Sequence, residues 1–180
     1  MTRLTITHHD ARIRQPLSVT QLEFEALDHT HAEVVQTLRE LERLLNVVDA
    51  GDASRQAREA ARSVCEFFDG TARRHHEEEE RVVFPPLLTG SDVGLAQHVR
   101  RLQQDHGWLE EDWREMRPLL GAIADGLGGV DVSALRQMAG VFSALYVDHI
   151  ALEESLVYPA ARQCLMANEI AARRRAEPSL

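Results

Sequence analysis

"HHEEEERVVFP" at residues 75–85 and "HIALEESLVYP" at residues 149–159 are two versions of one pattern. Laid over each other, His75 meets His149, Glu79 meets Glu153, and Glu80 meets Glu154. Val83 meets Val157, Phe84 meets Tyr158, and Pro85 meets Pro159. Both read H-x3-E-E-x2-V-aromatic-P. A histidine and a glutamate four residues apart share one face of an α-helix, one turn apart. The pattern therefore asks for two helices, each presenting a His/Glu pair.

Two further histidines extend the repeat. His31 and His106 are each followed by apolar residues at +3 (Val34, Leu109), +7 (Leu38, Trp113) and +10 (Leu41, Met116). The separations are 44 residues from His31 to His75 and 43 from His106 to His149. The chain is thus two copies of a helix pair, each supplying a His and then a His-x3-Glu. Between these motifs apolar residues recur near a 3.6 period, and strand signals are almost absent. The periodicity predicts helices over about 18–49, 53–88, 92–127 and from Asp131 or Ser133 past Met166. Asp49–Asp52, Thr89–Asp92 and Gly128-Gly129 serve as the turns, and Pro118 and Pro159 are candidate kinks. Short turns between long helices make neighbours antiparallel. The expected fold is all-α, an up-down-up-down antiparallel four-helix bundle over 17–168, with tails at 1–16 and 169–180.

Height and facing decide whether the histidines meet. A helix rises about 1.5 Å per residue. His31 lies 20 residues before Gly51 and His75 lies 24 after it; His75 and His106 lie 15 and 16 from Gly90; His106 and His149 lie 22 and 21 from Gly128. All four fall at one level. At 100° per residue, His75 shares its face with Val64, Phe68, Ala72 and Val82. His76 shares its face with Cys65, Asp69 and Arg73, and is read, with Glu80, as turned toward water. His149 falls on the stripe of Phe142, Tyr146, Leu152 and Leu156. His8, His9 and His29 are read as surface residues, Glu77–Glu80 as a solvated face apart from Glu79, and His98 as too far along the axis.

Six groups converge on this reading: His31, His75, Glu79, His106, His149 and Glu153. Buried charge costs several kcal/mol unless partnered. Imidazole and bridging carboxylate suit first-row transition metals, iron above all. Two glutamates and four histidines ask for two metals, bridged by both carboxylates, each with about two histidines and room for an exogenous ligand. Tyr146, one turn before His149, and Glu110, one turn after His106, are candidates for a supporting role beside them.

Composition agrees with a soluble helical domain. The 180 residues are 44% hydrophobic and 27% charged, with 5% aromatic. A formal charge of −9 excludes general nucleic-acid binding. No segment reaches the roughly 20 apolar residues of a membrane helix, and no signal peptide is visible. Cys65 and Cys164 fall tens of ångströms apart on the helical rise, too far for a disulfide. The expected location is the cytoplasm.

The residues resemble the hemerythrin-like, HHE cation-binding domains. "Asp28-His29-Thr30-His31-Ala32-Glu33-Val34" is similar to that family's first-helix motif, with His31 as ligand. His75-x3-Glu79 before Phe84-Pro85 resembles the second, His106 the third, and His149-x3-Glu153 before Tyr158-Pro159 the fourth. The resemblance covers about residues 20–165. It implies a non-haem di-iron centre, two iron ions (Fe2+/Fe3+) with an oxo or hydroxo bridge. One departure stands out. Oxygen-carrying members place two histidines a turn apart on the third helix, whereas Leu102 and Glu110 flank His106 here. Four histidines rather than five resembles the di-iron proteins of iron-sulfur cluster repair and nitric-oxide stress, without their N-terminal cysteine-bearing domain. The absence of Glu-x-x-His argues against a ferritin-type site. The leading expectation is a protein that binds or responds to O2, NO or peroxide, served by a redox partner of unknown identity. An enzyme that turns over peroxide or NO, or delivers iron to damaged clusters, is the second reading. A helical bundle with adventitious zinc is the third.

Overall fold

Phe24, Leu27, Val34, Leu38, Leu41, Leu44 and Leu45 recur at helical spacing, and each is buried. They make one wall of a helical bundle. The computed structural model describes residues 19–49 and 54–176. The expected tail at 1–16, with His8 and His9, the start at Ser18 and the turn at 50–52 lie outside them. Four helical rods make up the described chain, with no strand among the described residues. They are α1 (Val19–Asp49), α2 (Arg55–Leu88), α3 (Val93–Ala124) and α4 (Val132–Ala176). Residues 169–176, expected in the tail, continue α4. Rod α1 packs on α2 and α4, α3 packs on α2 and α4, and the Phe84–Leu88 end of α2 also packs on the Tyr158–Ala176 part of α4.

Local chemistry sets the rod ends. Side chains accept the orphan amides at three starts: Ser54 from Ala57 at 3.2 Å, Asp92 from Leu95 at 2.9 Å, and Asp131 from Ala134 at 2.9 Å. Rod α3 ends at Ala124, three residues earlier than the sequence suggests. Gly126 takes φ 74°, and the amide of Leu127 reaches back to the carbonyl of Ala122 at 2.8 Å. Helical structure continues through both Pro118 and Pro159.

Two rods are not uniform α-helix. Rod α2 carries π segments at Phe67–Ala72 and Glu79–Val83, and α4 carries one at Glu153–Val157. A π turn inserts an extra residue and rotates the remainder of the helix about its axis. Its effect is visible in burial. Val83 and Val157 are fully buried, while Val82 is half-buried and Leu156 is 39% exposed. The inward positions expected at 82 and 156 have therefore moved by one residue in each repeat. Each of these two π segments ends just before a proline, Pro85 or Pro159, whose nitrogen has no proton to donate to an α-helical bond.

The core is divided in two. One apolar cluster runs from Val34 and Leu38 on α1 through Val64 and Phe68 to Phe142 and Tyr146. The other holds Phe24, Leu27, Val83, Phe84, Leu102 and Tyr158 among its members. Between them lies a polar layer of His31, His75, Glu79, Asp105, His106, His149 and Glu153, each at most 8% exposed.

A candidate metal centre across the four rods

Every rod contributes to this layer. The donor atoms fall into two groups, each within 4.8 Å of one another: His31, His75, Glu79 and Glu153 in one, and His76, Glu79, His106 and His149 in the other. Glu79 belongs to both. All six residues singled out in the sequence are therefore brought together, and a seventh joins them.

That seventh is His76, and it corrects the reading that turned it toward water. Its ring stacks on His106 with centroids 4.1 Å apart and lies 5.6 Å from His149. Its Nε2 is buried without a hydrogen-bond partner. The cause is the π segment Phe67–Ala72, which breaks the uniform 100° count that put His76 on the face of Cys65, Asp69 and Arg73. The histidine count at the centre is five, not four. The fifth comes from α2 rather than from α3.

The carboxylates at the ends of the motifs do separate work. Glu154 Oε1 accepts from His31 Nδ1 at 3.1 Å, and Glu80 Oε1 accepts from His106 Nδ1 at 3.2 Å. Each donation leaves the opposite Nε2 to face the layer, the arrangement that fixes a ligand imidazole. Gln103 holds the other oxygen of Glu80 at 2.7 Å. The sequence carried a signal for both, the second glutamate repeated after Glu79 and Glu153. Asp105, also missed, sits 3.8 Å from His149 Nδ1. Tyr158, read only as an aromatic, donates its hydroxyl proton to Glu79 and lies 3.2 Å from His31 Nε2.

Protonation shows what the layer holds without a cation. Burial alone would strip His149 of its second proton. The carboxylates of Asp105 and Glu153 outweigh it and push the pKa up to about 10. His31 is likewise raised against burial by Glu153 and Glu79. Burial would raise Glu153, but His149 and His31 hold it down at about 2. Burial lowers His75 to about 4 and, with His106 beside it, His76 well below the ordinary value. Two imidazolium ions thus offset the buried carboxylates, and two imidazoles stay neutral.

This neutralisation is incomplete. Among the described residues, nine buried side-chain atoms have no hydrogen-bond partner, and all nine belong to this layer. They include Nε2 of His76, His106 and His149, Oε2 of Glu79, and both oxygens of Glu153. Orphaned buried polar atoms are rare and need an explanation. Imidazole nitrogens and carboxylate oxygens in this arrangement fit cations.

Residues 22–161 match the hemerythrin HHE cation-binding domain. The chain belongs to the hemerythrin HHE cation-binding family. No curated protein and no solved structure matches it. Membership and the donor groups agree on cation binding by a helical bundle. Among the described residues no helix is long and apolar enough to cross a membrane. Both cysteines are free.

Tyr146 and Glu110 take no place in either donor group. Tyr146 is buried, its ring 5.8 Å from that of His76. Glu110 is exposed. Both line a cavity of about 720 Å³ between α2, α3 and α4, which reaches His76 and His106. His31, His75, His149 and Glu153 do not line it. His29 is exposed, as expected, and so is His98.

Proposed function

We propose that this hemerythrin-family chain is a non-haem di-iron protein that binds or responds to O2, NO or peroxide. The observation that carries the reading is the pair of four-donor groups sharing Glu79. The rods are read as running up-down-up-down, which the short turns support. His31 and His75, with Glu79 and Glu153, would hold one ion; His76, His106 and His149, with Glu79, would hold the other. A pair of ferrous ions supplies two electrons and an open coordination position to a small oxidant or diatomic ligand.

The chain's own residues do the rest. Glu79 and Glu153 carry the negative charge that balances the cations in a layer sealed by apolar clusters on both sides. To hold cations, His31 and His149 would each have to give up one ring proton. Glu154 and Glu80 keep the Nδ1 protons in place, so each ring presents Nε2. Tyr158 holds Glu79 in its orientation. The fifth histidine also removes an objection. Four histidines alone make a simple oxygen carrier a weak reading. With His76 one donor group offers three imidazoles and the other two, so two ions held there would not be held alike.

The test is metal content joined to optical spectroscopy. Protein expressed in iron-rich medium should hold about two irons per chain. It should show a near-ultraviolet charge-transfer absorption that dithionite bleaches and air or peroxide restores. Iron-bound protein whose spectrum ignores dithionite defeats the redox reading. Zinc as the tightly bound metal, with no iron uptake, favours the structural alternative. Peroxide or NO consumption no faster than with free iron removes the enzymatic reading. The reduced cysteines and the absence of a spanning helix among the described residues support, as a proposal, a cytoplasmic protein without a membrane partner.

A further inference from the structure

The cavity beside His76 is far larger than a diatomic molecule or hydrogen peroxide requires. A water molecule's share of liquid volume is about 30 Å³. The cavity is about 720 Å³, within the range of sites for drug-sized organic molecules. Its inner wall is apolar and aromatic: Phe68, Leu109, Trp113 and Phe142. It also contains a polar group with nothing to bind. The Tyr146 side chain is 3% exposed and lines the cavity, yet its hydroxyl makes no hydrogen bond among the described residues. The hydroxyl is not one of the fully buried orphaned atoms of the metal layer; it opens into the cavity, where it can donate to an occupant.

The mouth excludes an ionic occupant. Arg117 is bound to Asp69 at 2.8 Å, Arg73 to Glu77 at 3.2 Å and Arg114 to Glu111 at 2.6 Å. Glu80 is taken up by Gln103 and His106. What remains is one charge of each sign, Arg81 and Glu110, both exposed. Neither a cation nor an anion gains from this rim.

We infer that the cavity is a binding site for an uncharged, largely apolar organic molecule carrying one hydrogen-bond-accepting oxygen, which Tyr146 receives beside the His76 and His106 end of the metal centre. This names a substrate class for the centre and rests on the di-iron reading for its chemistry, though not for its binding. The body of the molecule lies against Phe68, Trp113 and Phe142. Its oxygen is held next to the three-histidine group, away from His31 and Glu153.

The probe is 4-tert-butylcyclohexanone, transparent where tryptophan is excited. The chain has two tryptophans. Trp108 is 52% exposed and Trp113 lines the cavity, so a Trp108→Phe background isolates the reporter. Saturable change in Trp113 emission is expected, with Kd at or below ~1 mM. Tyr146→Phe, which keeps the ring, should weaken binding by roughly 5–10-fold, the value of one hydrogen bond. The matching 4-tert-butylcyclohexanecarboxylate should bind at least ~10-fold more weakly, because a charge loses its hydration there. No saturable change, equal binding to the Tyr146→Phe protein, or equal binding of the carboxylate overturns the inference. Iron content of the same samples separates the two readings. Two irons without probe binding removes the organic site and leaves the metal centre. Probe binding in a chain that takes up no iron keeps the site and removes the centre.

Discussion

Replacing His76 with alanine tests the geometry most sharply, because the uniform helical count and the structure give opposite answers. If His76 faces water, the change is silent. If it belongs with Glu79, His106 and His149, one of three imidazoles in that group is lost. Changes beyond the ligands themselves cost 10–100-fold in metal affinity. Loss of a ligand should reach at least the upper figure, ~100-fold or about 2.7 kcal/mol. The metal-free protein should behave differently. There the variant gives up packing on His106, at 4.1 Å between ring centroids. It also removes a buried Nε2 with no partner. Each effect is worth about 1–3 kcal/mol and they oppose each other, so the metal-free stability should change by no more than ~2 kcal/mol. The assay is iron per chain by chelator competition, paired with urea unfolding of metal-free and loaded protein. His75→Ala serves as the companion, expected to empty the other group. Two irons held by His76→Ala with unchanged affinity would refute the placement. A metal-free stability loss as large as the loaded one would reduce His76 to a packing residue.

The same geometry fixes three other outcomes. Loading the centre at pH 7–8 should release between one and two protons per chain. His149, with a pKa of about 10, and the raised His31 must both surrender theirs; calorimetry in two buffers of different ionisation heat measures the number, and zero contradicts it. Metal-free stability should fall on both sides of pH 6.5. Between pH 6.5 and 4 the unfolded chain binds the proton that buried His75 refuses, removing ~3 kcal/mol as pH drops, while above 6.5 the native His149 binds the extra proton and its contribution is lost as pH rises toward 10. Glu154→Gln and Glu80→Gln should each weaken metal binding 10–100-fold, whereas Asp131→Ala, which removes only the α4 cap, should cost about 1 kcal/mol in unfolding and leave metal affinity unchanged.

Much of the centre was legible in the sequence because height along a helix depends only on residue count. The spacing of His31, His75, His106 and His149 from their turns survives small errors in facing. All four occupy one layer with Glu79 and Glu153. Facing is less forgiving, since one inserted residue turns everything beyond it by about 100°. That is why His76 was misplaced, and why Val82 and Leu156 were expected where Val83 and Val157 are buried. The prolines after Phe84 and Tyr158 marked those two irregular turns, but nothing comparable marks Phe67–Ala72. Glu80, Glu154 and Tyr158 were hidden for another reason. Their partners lie on other rods, 26, 123 and 79 residues away for His106, His31 and Glu79 respectively. Periodicity along one helix does not report such reach.

Glu80 and Glu154 sit at the rim, with side chains 39% and 52% exposed, while the imidazoles they grip are buried. The buried ions are consequently not insulated from their surroundings. A competing cation or a charged partner that occupied either rim carboxylate would loosen one ring by its far nitrogen. A centre without a direct path to solvent on the His31 side would still sense the medium there, through a handle left outside the wall.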